Sequence, residues 1–387
     1  MLNSITNFYM EFLQNFKSQL RVVSPGRINI IGEHTDYNMG YVLPTAIEKN
    51  ITFDFQENGS ESICNIYSKT FDTGFSFDLT KVAKSEAEWH NYILGVVNEI
   101  LLRERNLKGF DCVLESNLPT GSGLSSSAAL ECGLAFGLNE LFQLNLTKLE
   151  MVQLSQTAEH TYAGTQCGIM DQYASVMSEE GHVILLDCLS LDSSYIPIDL
   201  KPYKIILLNT KVSHNLATSE YNVRKMECEQ GVAIIQQSYP EVKSLRDVTQ
   251  EMLQSCKGEL SETVFKRCSF IVDENERVIQ MTEYLKKNDL TAVGELLYEA
   301  HDGISRLYEV SCPESDFLVD FSKKYAGVLG ARQTGGGFGG CTLNIVHEDQ
   351  IEEFTEAAKE AYKKKFDILL EIFEVKPSGG TRIVEAS

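Results

Sequence analysis

A run of glycines and serines that leads directly into an alanine- and leucine-rich stretch limits the fold of this chain more than any other feature. It reads LPTGSGLSSSAALE from Leu118 to Glu131. Glycines permit tight turns and close approach of the backbone to a ligand, and the residues that follow them favour a helix. The pattern predicts a loop followed by a helix that runs towards Phe142.

The start of that helix is a candidate anion site. Backbone N–H groups are free at a helix N-terminus, and the helix dipole adds roughly half a positive charge there. The serine hydroxyls can bind phosphate or a magnesium ion. A serine-rich helix cap without a ligand is the alternative. The segment is not a Walker P-loop, because GxxxxGK[ST] does not occur in the sequence, and the VAIK and HRD signatures of protein kinases are missing as well.

The charge balance excludes several classes of function. The chain has 34 lysines and arginines against 55 aspartates and glutamates, a net charge of −21 over 387 residues. Nucleic-acid-binding and membrane-surface proteins both need basic surfaces, which this composition does not supply. Disorder is excluded because 43% of the residues are hydrophobic. The length predicts two domains, or one large domain with a cleft. If such an acidic chain binds an anion, it must bind it through a few local groups rather than through a broad basic surface.

The sequence favours a cytoplasmic protein. The segment from Met1 to Phe16 carries Glu11 within an apolar run, which predicts an amphipathic helix rather than a signal peptide. No stretch approaches the roughly 18 apolar residues of a membrane span. Ten cysteines are scattered along the chain without a CxxC pair. We therefore predict neither a zinc site nor a redox motif, and expect buried thiols in a reducing compartment. The sequence leaves the oligomeric state open and is compatible with a monomer.

Strand-like and helical segments are mixed in the first half of the chain, without strict strand–helix–strand repetition. Strands are predicted at Ile28 to Ile31, Tyr41 to Leu43 and Phe110 to Leu114. A helix is predicted to begin at Thr147, because its hydroxyl and Glu150 can form a capping box. That helix should end before Gly164, the residue type that tolerates a left-handed turn.

After about residue 200 the pattern changes to longer elements. Helices are predicted from Asn215 to Gln237 and from Val272 to Lys287, and Cys341 to Val346 alternates like a half-buried strand. We place a soft domain boundary near residues 195–205, which divides the chain into 1–200 and 201–387. Strands mixed with helices in this way predict an α+β architecture.

The segment PGRINIIGEHTDYN, from Pro25 to Asn38, combines a strand-like run with a polar cluster. Ionised Glu33 and Asp36 only accept hydrogen bonds, whereas His34 can donate or accept. Such a cluster suits a ligand with several hydroxyl groups. A polar turn, in which Asp36 or Asn38 caps the backbone, is the alternative.

The segment GARQTGGGFGG, from Gly330 to Gly340, is the most glycine-rich part of the chain. It formally contains GxGxxG, but a dinucleotide-binding loop opens a helix, whereas a strand follows here. We therefore reject that interpretation. The glycines indicate a backbone that bends sharply or approaches something closely, and a flexible surface loop is the alternative.

Residues 151–200 contain seven aspartates and glutamates but no lysine or arginine. Their carboxylates must find partners elsewhere in the fold, or bind a cation. Asp171, within CGIMDQY, is a candidate helix cap, base or hydroxyl-positioning charge. The neighbouring residues do not decide between these roles.

Taken together, GRINIIGEHTDYN, LPTGSGLSSSAALE and GARQTGGGFGGC resemble the three motifs of the galactokinases, a family of the GHMP kinase superfamily. The resemblance extends from about Arg21 to Arg382. EHTDYN is specific to galactokinases, and the GLSSSAA loop is shared across GHMP kinases. Gln333 departs from the family pattern, which usually has methionine there. The resemblance implies an α+β, two-domain GHMP kinase fold, with an N-terminal α/β domain, a ferredoxin-like C-terminal domain and the active site between them.

The resemblance also implies roles for individual residues. Asp171 matches the catalytic aspartate, and Arg27 the neighbouring arginine that stabilises charge in the transition state. The implied sugar-binding residues are Glu33, His34, Thr35, Asp36 and Tyr221. The implied nucleotide-binding residues are Ser68, Trp89, Gly121, Ser122, Gly123, Leu124, Ser125, Ser126 and Ser127. The implied magnesium ligands are Ser127 and Glu159, with Ser126 as an alternative to Ser127.

The activity implied by the resemblance is transfer of the ATP γ-phosphoryl group to the anomeric (C1) hydroxyl of α-D-galactose, with Mg²⁺, as the first step of galactose catabolism (the Leloir pathway). Asp171 would orient or deprotonate that hydroxyl, and Arg27 would favour the ionised carboxylate. Two rivals remain. Another GHMP small-molecule kinase, acting on N-acetylgalactosamine, mevalonate or homoserine, is opposed by the intact EHTDYN. A non-catalytic galactose sensor is opposed by the complete SSSAA run.

Overall fold

The computed structural model describes residues 12–119, 121–213 and 217–385, which form three β-sheets and the helices that cover them. The strands are β1 (Leu20–Asn29), β2 (Tyr41–Val42), β3 (Pro44–Glu57), β4 (Ile63–Ser68), β5 (Thr73–Asp78), β6 (Phe110–Ser116), β7 (His182–Asp187), β8 (Ser193–Pro197), β9 (Tyr203–Ser213), β10 (Val328–Gln333), β11 (Gly339–His347), β12 (Glu371–Val375), β13 (Pro377–Ser378) and β14 (Arg382–Val384). The helices are α1 (Glu88–Leu102), α2 (Ser126–Phe142), α3 (Lys148–Ala158), α4 (Met170–Met177), α5 (Ala217–Ser238), α6 (Gln250–Ser255), α7 (Glu262–Lys287), α8 (Leu290–Gly303), α9 (Pro313–Lys323) and α10 (Ile351–Phe366).

The first sheet has the strand order β14-β1-β3-β6-β4-β5, with β13 beside β3. Its pairs are antiparallel except for β4 and β6. Helix α2 packs closely on this sheet, because Gly133 and Gly137 face the rings of Phe53 and Phe55. A Cβ atom at either glycine would lie 2.2 or 2.1 Å from a ring carbon. Because neither glycine has a side chain, α2 can lie close to the sheet. This close packing fixes the position of the first turn of α2.

The second sheet has the order β10-β11-β9-β12 and is antiparallel throughout. Helices lie between β9 and β10 and between β11 and β12, so the chain order is the split βαββαβ arrangement of ferredoxin-like domains. The predicted ferredoxin-like C-terminal part is therefore confirmed, as is the α+β class. A third, small sheet has the order β2-β7-β8.

The prediction of a half-buried strand at Cys341 to Val346 was wrong. Strand β11 is buried on both faces, and its polar residues Thr342 and Asn344 have no exposed surface. Asn344 accepts a hydrogen bond from Ser322 Oγ at 2.6 Å and donates to the Ile206 carbonyl at 3.1 Å. Because partners in α9 and β9 satisfy the amide, an alternating strand can lie wholly inside the protein.

One apolar core connects the two larger sheets. A single cluster of buried side chains includes Ile28 and Phe53 from the first sheet, and Ile205, Leu207 and Leu343 from the second. Strands β13 and β14 return from the end of the described chain to the first sheet. The division into 1–200 and 201–387 stays a prediction.

The predicted helices largely match the observed ones. Thr147 and Glu150 form the capping box of α3, which continues through a π-helical turn (Glu159–Ala163) and ends at Gly164 with φ 83°. Helix α7 begins ten residues before the predicted Val272, because Ser261 caps it by accepting the Val264 N–H. The predicted start at Asn215 and most of the helix predicted from Met1 to Phe16 lie outside the described residues. Among the helices described, none combines the length and the apolar character of a membrane span.

Candidate active site

A cavity of about 320 Å³ lies where the three sequence segments meet. Its wall is built from the segment after β1, the loop before α2, the start of α4, α5, and the turn between β10 and β11. The lining residues are Arg27, Glu33, His34, Asp36, Gly121, Ser122, Gly123, Leu124, Ser125, Ser126, Ser127, Glu159, Thr165, Cys167, Met170, Asp171, Tyr221, Gly336 and Gly337. Segments that are about 300 positions apart in the sequence therefore form one site.

Arg27 and Asp171 form a bidentate ion pair in this wall. Arg27 Nε lies 2.7 Å from Asp171 Oδ1, and Arg27 Nη2 lies 2.8 Å from Asp171 Oδ2. Ser125 Oγ also donates to Asp171 Oδ2. Burial alone would lower the pKa of the guanidinium, but the charge of Asp171 and its hydrogen bonds outweigh burial and raise the pKa of Arg27. Arg27 is thus a permanent cation in a cavity that is otherwise rich in carboxylates.

The glycine-serine loop presents its backbone to the cavity. Ser125 precedes α2 in a left-handed conformation (φ 58°), and its side chain makes no capping hydrogen bond. The side chain of Ser125 therefore does not occupy the N–H groups at the start of α2, and an anion-binding helix start requires such uncapped groups. Arg27 Nη1 donates to the Gly123 carbonyl at 2.7 Å and so ties the loop to the ion pair.

The glycine-rich turn between β10 and β11 supports that loop from behind. A Cβ atom on Gly335 would lie 2.8 Å from the Gly123 carbonyl oxygen, and one on Gly340 would lie 3.0 Å from the Ser122 carbonyl oxygen. Both glycines also have positive φ angles, 87° and 79°. The glycines are therefore needed for close approach of two backbones, as the sequence indicated, and not for a dinucleotide.

Asp36 lies in the wall of the cavity, directly against Gly168. A Cβ atom at Gly168 would lie 2.0 Å from Asp36 Oδ2, so only glycine leaves room for this carboxylate. The Tyr37 N–H donates to Asp36 Oδ1 at 3.0 Å. Burial, followed by the charge of Asp171, raises the pKa of Asp36 to about 7.

Glu33 is held by the turn that follows β10. Its Oε1 accepts a hydrogen bond from the Gly335 N–H at 2.8 Å and lies 2.8 Å from Arg332 Nη2. Arg332 is completely buried and donates to the Asn29 and Ile30 carbonyls at the end of β1. The first and third sequence segments are thus fastened together by one ion pair.

His34 has one engaged and one free ring nitrogen. Nδ1 lies 2.8 Å from the hydroxyl of Tyr37, whereas Nε2 is buried and makes no hydrogen bond within the described residues. Burial, with the charge of Arg224 second, lowers the pKa of His34 to about 3, so the ring is neutral at physiological pH. Tyr221 packs beside it, with ring centroids 5.2 Å apart.

Glu159 is a buried carboxylate without a basic partner. Gln172 Nε2 donates to Glu159 Oε2 at 2.7 Å and to Glu131 Oε2 at 3.2 Å. Burial, followed by the charge of Asp171, raises the pKa of Glu159 to about 7, and burial raises that of Glu131 well above its ordinary value. Neither carboxylate forms an ion pair in the described part of the chain.

These carboxylates fit a cation, because buried anions without a counter-charge are costly. The hydroxyl of Ser127 interacts with Glu159 and lowers the pKa of that carboxyl relative to burial alone. A hydroxyl and a carboxylate are oxygen ligands of the kind that Mg²⁺ prefers. Within the described ranges, no three histidine, cysteine, aspartate or glutamate side chains are placed to hold a metal by themselves. A metal here would need further oxygen ligands from a substrate.

The structure does not bring every predicted residue to the cavity. The Thr35 hydroxyl donates to the Gly32 and Tyr41 carbonyls and is completely buried, which is a structural role. Ser68 is buried at the end of β4, and its Oγ accepts the Phe71 N–H. Trp89 packs against the Phe75 ring, with centroids 5.3 Å apart. The sugar-binding role of Thr35 and the nucleotide roles of Ser68 and Trp89 stay predictions.

Comparison with known proteins identifies the family. The profile described as "GHMP kinases N terminal domain" matches residues 91–179, "GHMP kinases C terminal" matches 281–364, and "Galactokinase galactose-binding signature" matches 10–55. The galactokinase of Thermosipho africanus is 40% identical over 361 residues, which cover 93% of this chain and 99% of that protein. The galactokinase of Thermotoga maritima is 39% identical over 363 residues, covering 94% and 99%.

The chain belongs to the galactokinase family. The crystal structure of the Lactococcus lactis galactokinase complexed with galactose matches with a TM-score of 0.93 at 35% identity, covering 98% of this chain and 99% of that one. A mevalonate kinase crystal structure, 17% identical with a TM-score of 0.65, shares the fold. The predicted resemblance to galactokinases and the two-domain GHMP kinase fold are confirmed.

Three residues that support this galactokinase-family site carried no prediction from the sequence. Arg332 lies within the third motif, and an arginine in so glycine-rich a segment was a usable signal. Gln172, next to Asp171, carries the hydrogen bonds between two carboxylates. Arg224 donates from α5 to the carbonyls of Tyr308 and Glu309, and nothing in the sequence pointed to it.

Proposed function

We propose that this member of the galactokinase family transfers the γ-phosphoryl group of ATP to the anomeric (C1) hydroxyl of α-D-galactose, giving galactose 1-phosphate and ADP. One observation carries the proposal. The bidentate pair of Arg27 and Asp171 lies at the junction between the glycine-serine loop and the EHTDYN segment. A hydroxyl bound on one side of Asp171 would therefore meet a phosphate bound on the other side.

The sugar side of the cavity offers groups that match several hydroxyls. The carboxylates of Glu33 and Asp36 accept hydrogen bonds, and the free nitrogen of His34 supplies a further polar contact. Tyr221 closes this side with its ring against that of His34. Fixed polar groups of this kind reject analogues that lack the matching hydroxyl, because a buried partner is then left unpaired.

The phosphate side accounts for an anionic substrate in an acidic protein. The amides of Gly121, Gly123 and Ser125 to Ser127 and the positive end of α2 can bind phosphate oxygens without many cations. Arg27 is the cationic side chain in this wall. The net charge of −21 therefore excludes broad basic binding surfaces but not ATP.

Ser127 and Glu159 are the residues that would hold Mg²⁺, with Ser126 as an alternative hydroxyl. When bound, Mg²⁺ neutralises charge on the phosphate oxygens and helps to orient them. The fit rests on the buried, cation-free carboxylate of Glu159 and its contact with Ser127. Gln172 holds the Glu159 carboxylate in place at 2.7 Å.

The chemistry asks for positioning and for charge stabilisation, which is what these residues provide. The C1 oxygen forms a bond to the γ-phosphorus while the bond from that phosphorus to the bridging oxygen of ADP breaks. Asp171 accepts the hydroxyl proton or fixes the direction of the hydroxyl, and Arg27 holds its carboxylate in place through two hydrogen bonds. Arg27 also ties the phosphate loop to the reacting groups through Gly123.

An ADP-release assay with a panel of acceptors tests the proposal. Galactose should give turnover that depends on MgATP, and ³¹P NMR should show a phosphate on C1. N-acetylgalactosamine, mevalonate and homoserine should give much lower kcat/KM. Galactose binding without ADP release would indicate a sensor, and preference for another acceptor would overturn the assignment.

We also propose that the reaction takes place in the cytoplasm, since all ten cysteines are free thiols.

A further inference from the structure

Behind the cavity, His34 is connected to a chain of buried hydroxyl and thiol groups. Tyr37 Oη lies 2.8 Å from His34 Nδ1 and 2.7 Å from Tyr308 Oη. Tyr308 Oη in turn lies 3.3 Å from Cys228 Sγ. The members come from the segment after β1, the π-helical turn after α8, and α5, and the three outer residues do not line the cavity. We call Cys228, Tyr308 and Tyr37 the hydroxyl relay.

The relay matters because a neutral imidazole has only one N–H, and the partner of one nitrogen sets the state of the other. If Tyr37 donates to Nδ1, the proton of His34 must be on Nε2, and His34 presents a donor to the cavity. If Nδ1 donates to Tyr37, Nε2 is an acceptor. Nε2 is the buried nitrogen that has no partner within the described residues.

Two contacts favour the first arrangement. Burial raises the pKa of Tyr37, and the hydrogen bond from Tyr308 opposes that rise, as a donor does. The single proton of Tyr37 is then left for Nδ1 of His34. The backbone of Gly336, which lines the cavity, also interacts with the His34 ring and favours its protonation. At the far end, either partner of the contact between Cys228 and Tyr308 can donate. Tyr308 and Tyr37 thus donate in turn towards Nδ1.

Ring packing fixes the orientation of the imidazole as well. The His34 ring centroid lies 4.8 Å from that of Tyr308 and 5.2 Å from that of Tyr221. The backbone of His34 is left-handed, with φ 64°, so the residue is held in an unusual conformation by its surroundings. A ring that cannot rotate can use only the nitrogen that already faces the cavity.

We propose that Tyr37 and Tyr308 are positioning residues that hold His34 as the Nε2–H tautomer, so that His34 donates a hydrogen bond to one hydroxyl of the acceptor sugar. This inference rests on the proposed function, because it states how the site recognises one hydroxyl of the sugar. The site then combines two acceptors, Glu33 and Asp36, with one donor. An acceptor without the hydroxyl that pairs with His34 leaves a buried donor unsatisfied and is discriminated against.

The tautomer is measured directly by long-range ¹H–¹⁵N NMR of the full chain labelled with ¹⁵N-histidine. Comparison with His34→Gln assigns the His34 signals. The expected spectrum shows a protonated Nε2 and an unprotonated Nδ1 in the wild type, and a mixture of tautomers in Tyr37→Phe. A protonated Nδ1 in the wild type would overturn the proposal. This readout needs no turnover, so it is independent of whether galactose is the substrate.

Kinetics give the second test. Tyr37→Phe should raise the KM for galactose about tenfold, the effect of one buried hydrogen bond, with little change in the KM for ATP. Tyr308→Phe should raise it less, because Tyr37 can still donate to Nδ1. Tyr362→Phe is the matched control: this buried hydroxyl donates to the Thr210 carbonyl at 2.8 Å, away from the cavity. Unchanged galactose KM in both relay variants would contradict the proposal.

A double-mutant cycle separates positioning from general destabilisation. Gln at position 34 carries its own donor and does not depend on Tyr37, so Tyr37→Phe should have little further effect on galactose KM in the His34→Gln background. Additive effects would mean that Tyr37 acts on folding alone and would overturn the relay. If Tyr37→Phe does not fold, the same cycle with Tyr308→Phe decides the question. A wild type that is inactive on galactose would refute the proposed function, while the NMR result would still stand.

Discussion

Arg27 and Asp171, 144 positions apart in the sequence, face each other with two parallel hydrogen bonds of 2.7 and 2.8 Å. Bidentate pairs fix direction as well as distance. The arginine is 4% exposed, while the aspartate is 25% exposed and reaches the cavity. The pair therefore presents an oriented carboxylate to a substrate, with its counter-charge behind it.

We predict that Asp171→Asn reduces kcat by about 10²–10⁴-fold, the usual contribution of a general base or an oriented carboxylate. Galactose binding should change little, because Glu33, His34 and Asp36 remain. Steady-state kinetics and calorimetric titration with galactose measure the two effects separately. Asp187→Asn is the control, since Asp187 also pairs with an arginine, Arg246 at 2.9 Å, outside the cavity. Near-normal turnover in Asp171→Asn would remove Asp171 from the chemistry.

The contact between the two glycine-rich segments gives a second prediction. Gly335→Ala places a Cβ atom 2.8 Å from the Gly123 carbonyl oxygen and should raise the KM for ATP about tenfold or more, because the phosphate loop must move. Gly59→Ala is the matched control. Gly59 has a similar positive φ, 77° against 87°, but nothing lies near its Cβ position. Equal effects on ATP in both variants would show that backbone strain, and not loop contact, is responsible.

Much of this site was readable from the sequence because its chemistry is concentrated in short segments. The glycine-serine run and the helix after it are local features, and α2 extends to Phe142 as the pattern predicted, although it begins at Ser126, within the serine run. The capping box at Thr147 is equally local. Such signals depend on a few neighbouring residues, so they can be recognised in the sequence without knowledge of the fold.

The rest depends on tertiary contacts that no local pattern contains. Thr35 belongs to the polar cluster by sequence, yet its hydroxyl is used up by two backbone carbonyls. The polar residues of β11 predicted an exposed face, but buried partners from other elements satisfy them. Arg224 binds the Tyr308 carbonyl only because α5 packs beside the turn that carries Tyr308.

For the metal, we predict that Glu159→Gln raises the Mg²⁺ concentration needed for half-maximal activity about tenfold or more. The physical reason is that the amide keeps the shape and the contact with Gln172 but removes the charge. Activity against Mg²⁺ at fixed ATP measures the shift, and Mn²⁺ binding followed by electron paramagnetic resonance measures it without turnover. Glu99→Gln, another buried glutamate that pairs with Arg103, is the control. An unchanged metal titration would exclude Glu159 as a ligand.

Asp36 gives a prediction about stability and pH. Burial and the charge of Asp171 raise the pKa of Asp36 from its ordinary value of 3.8 to about 7 in the folded protein. Between these two values the folded protein binds more protons at this site than the unfolded chain. Its contribution to stability is therefore fully present below about pH 4 and is lost as the pH rises through 7.

Asp36→Asn removes this dependence, because the amide does not titrate. The unfolding free energy of the variant relative to the wild type should therefore rise between pH 4 and 7 and level off above. The rise should be a few kcal/mol, since one unit of pKa corresponds to about 1.4 kcal/mol. Denaturant unfolding of both proteins across this pH range measures the difference. Asp78→Asn is the control: the Thr80 N–H holds the pKa of Asp78 below its ordinary value, so its difference from the wild type should stay flat above pH 5. A flat difference for Asp36→Asn would mean that Asp36 is already ionised in the folded protein at pH 5.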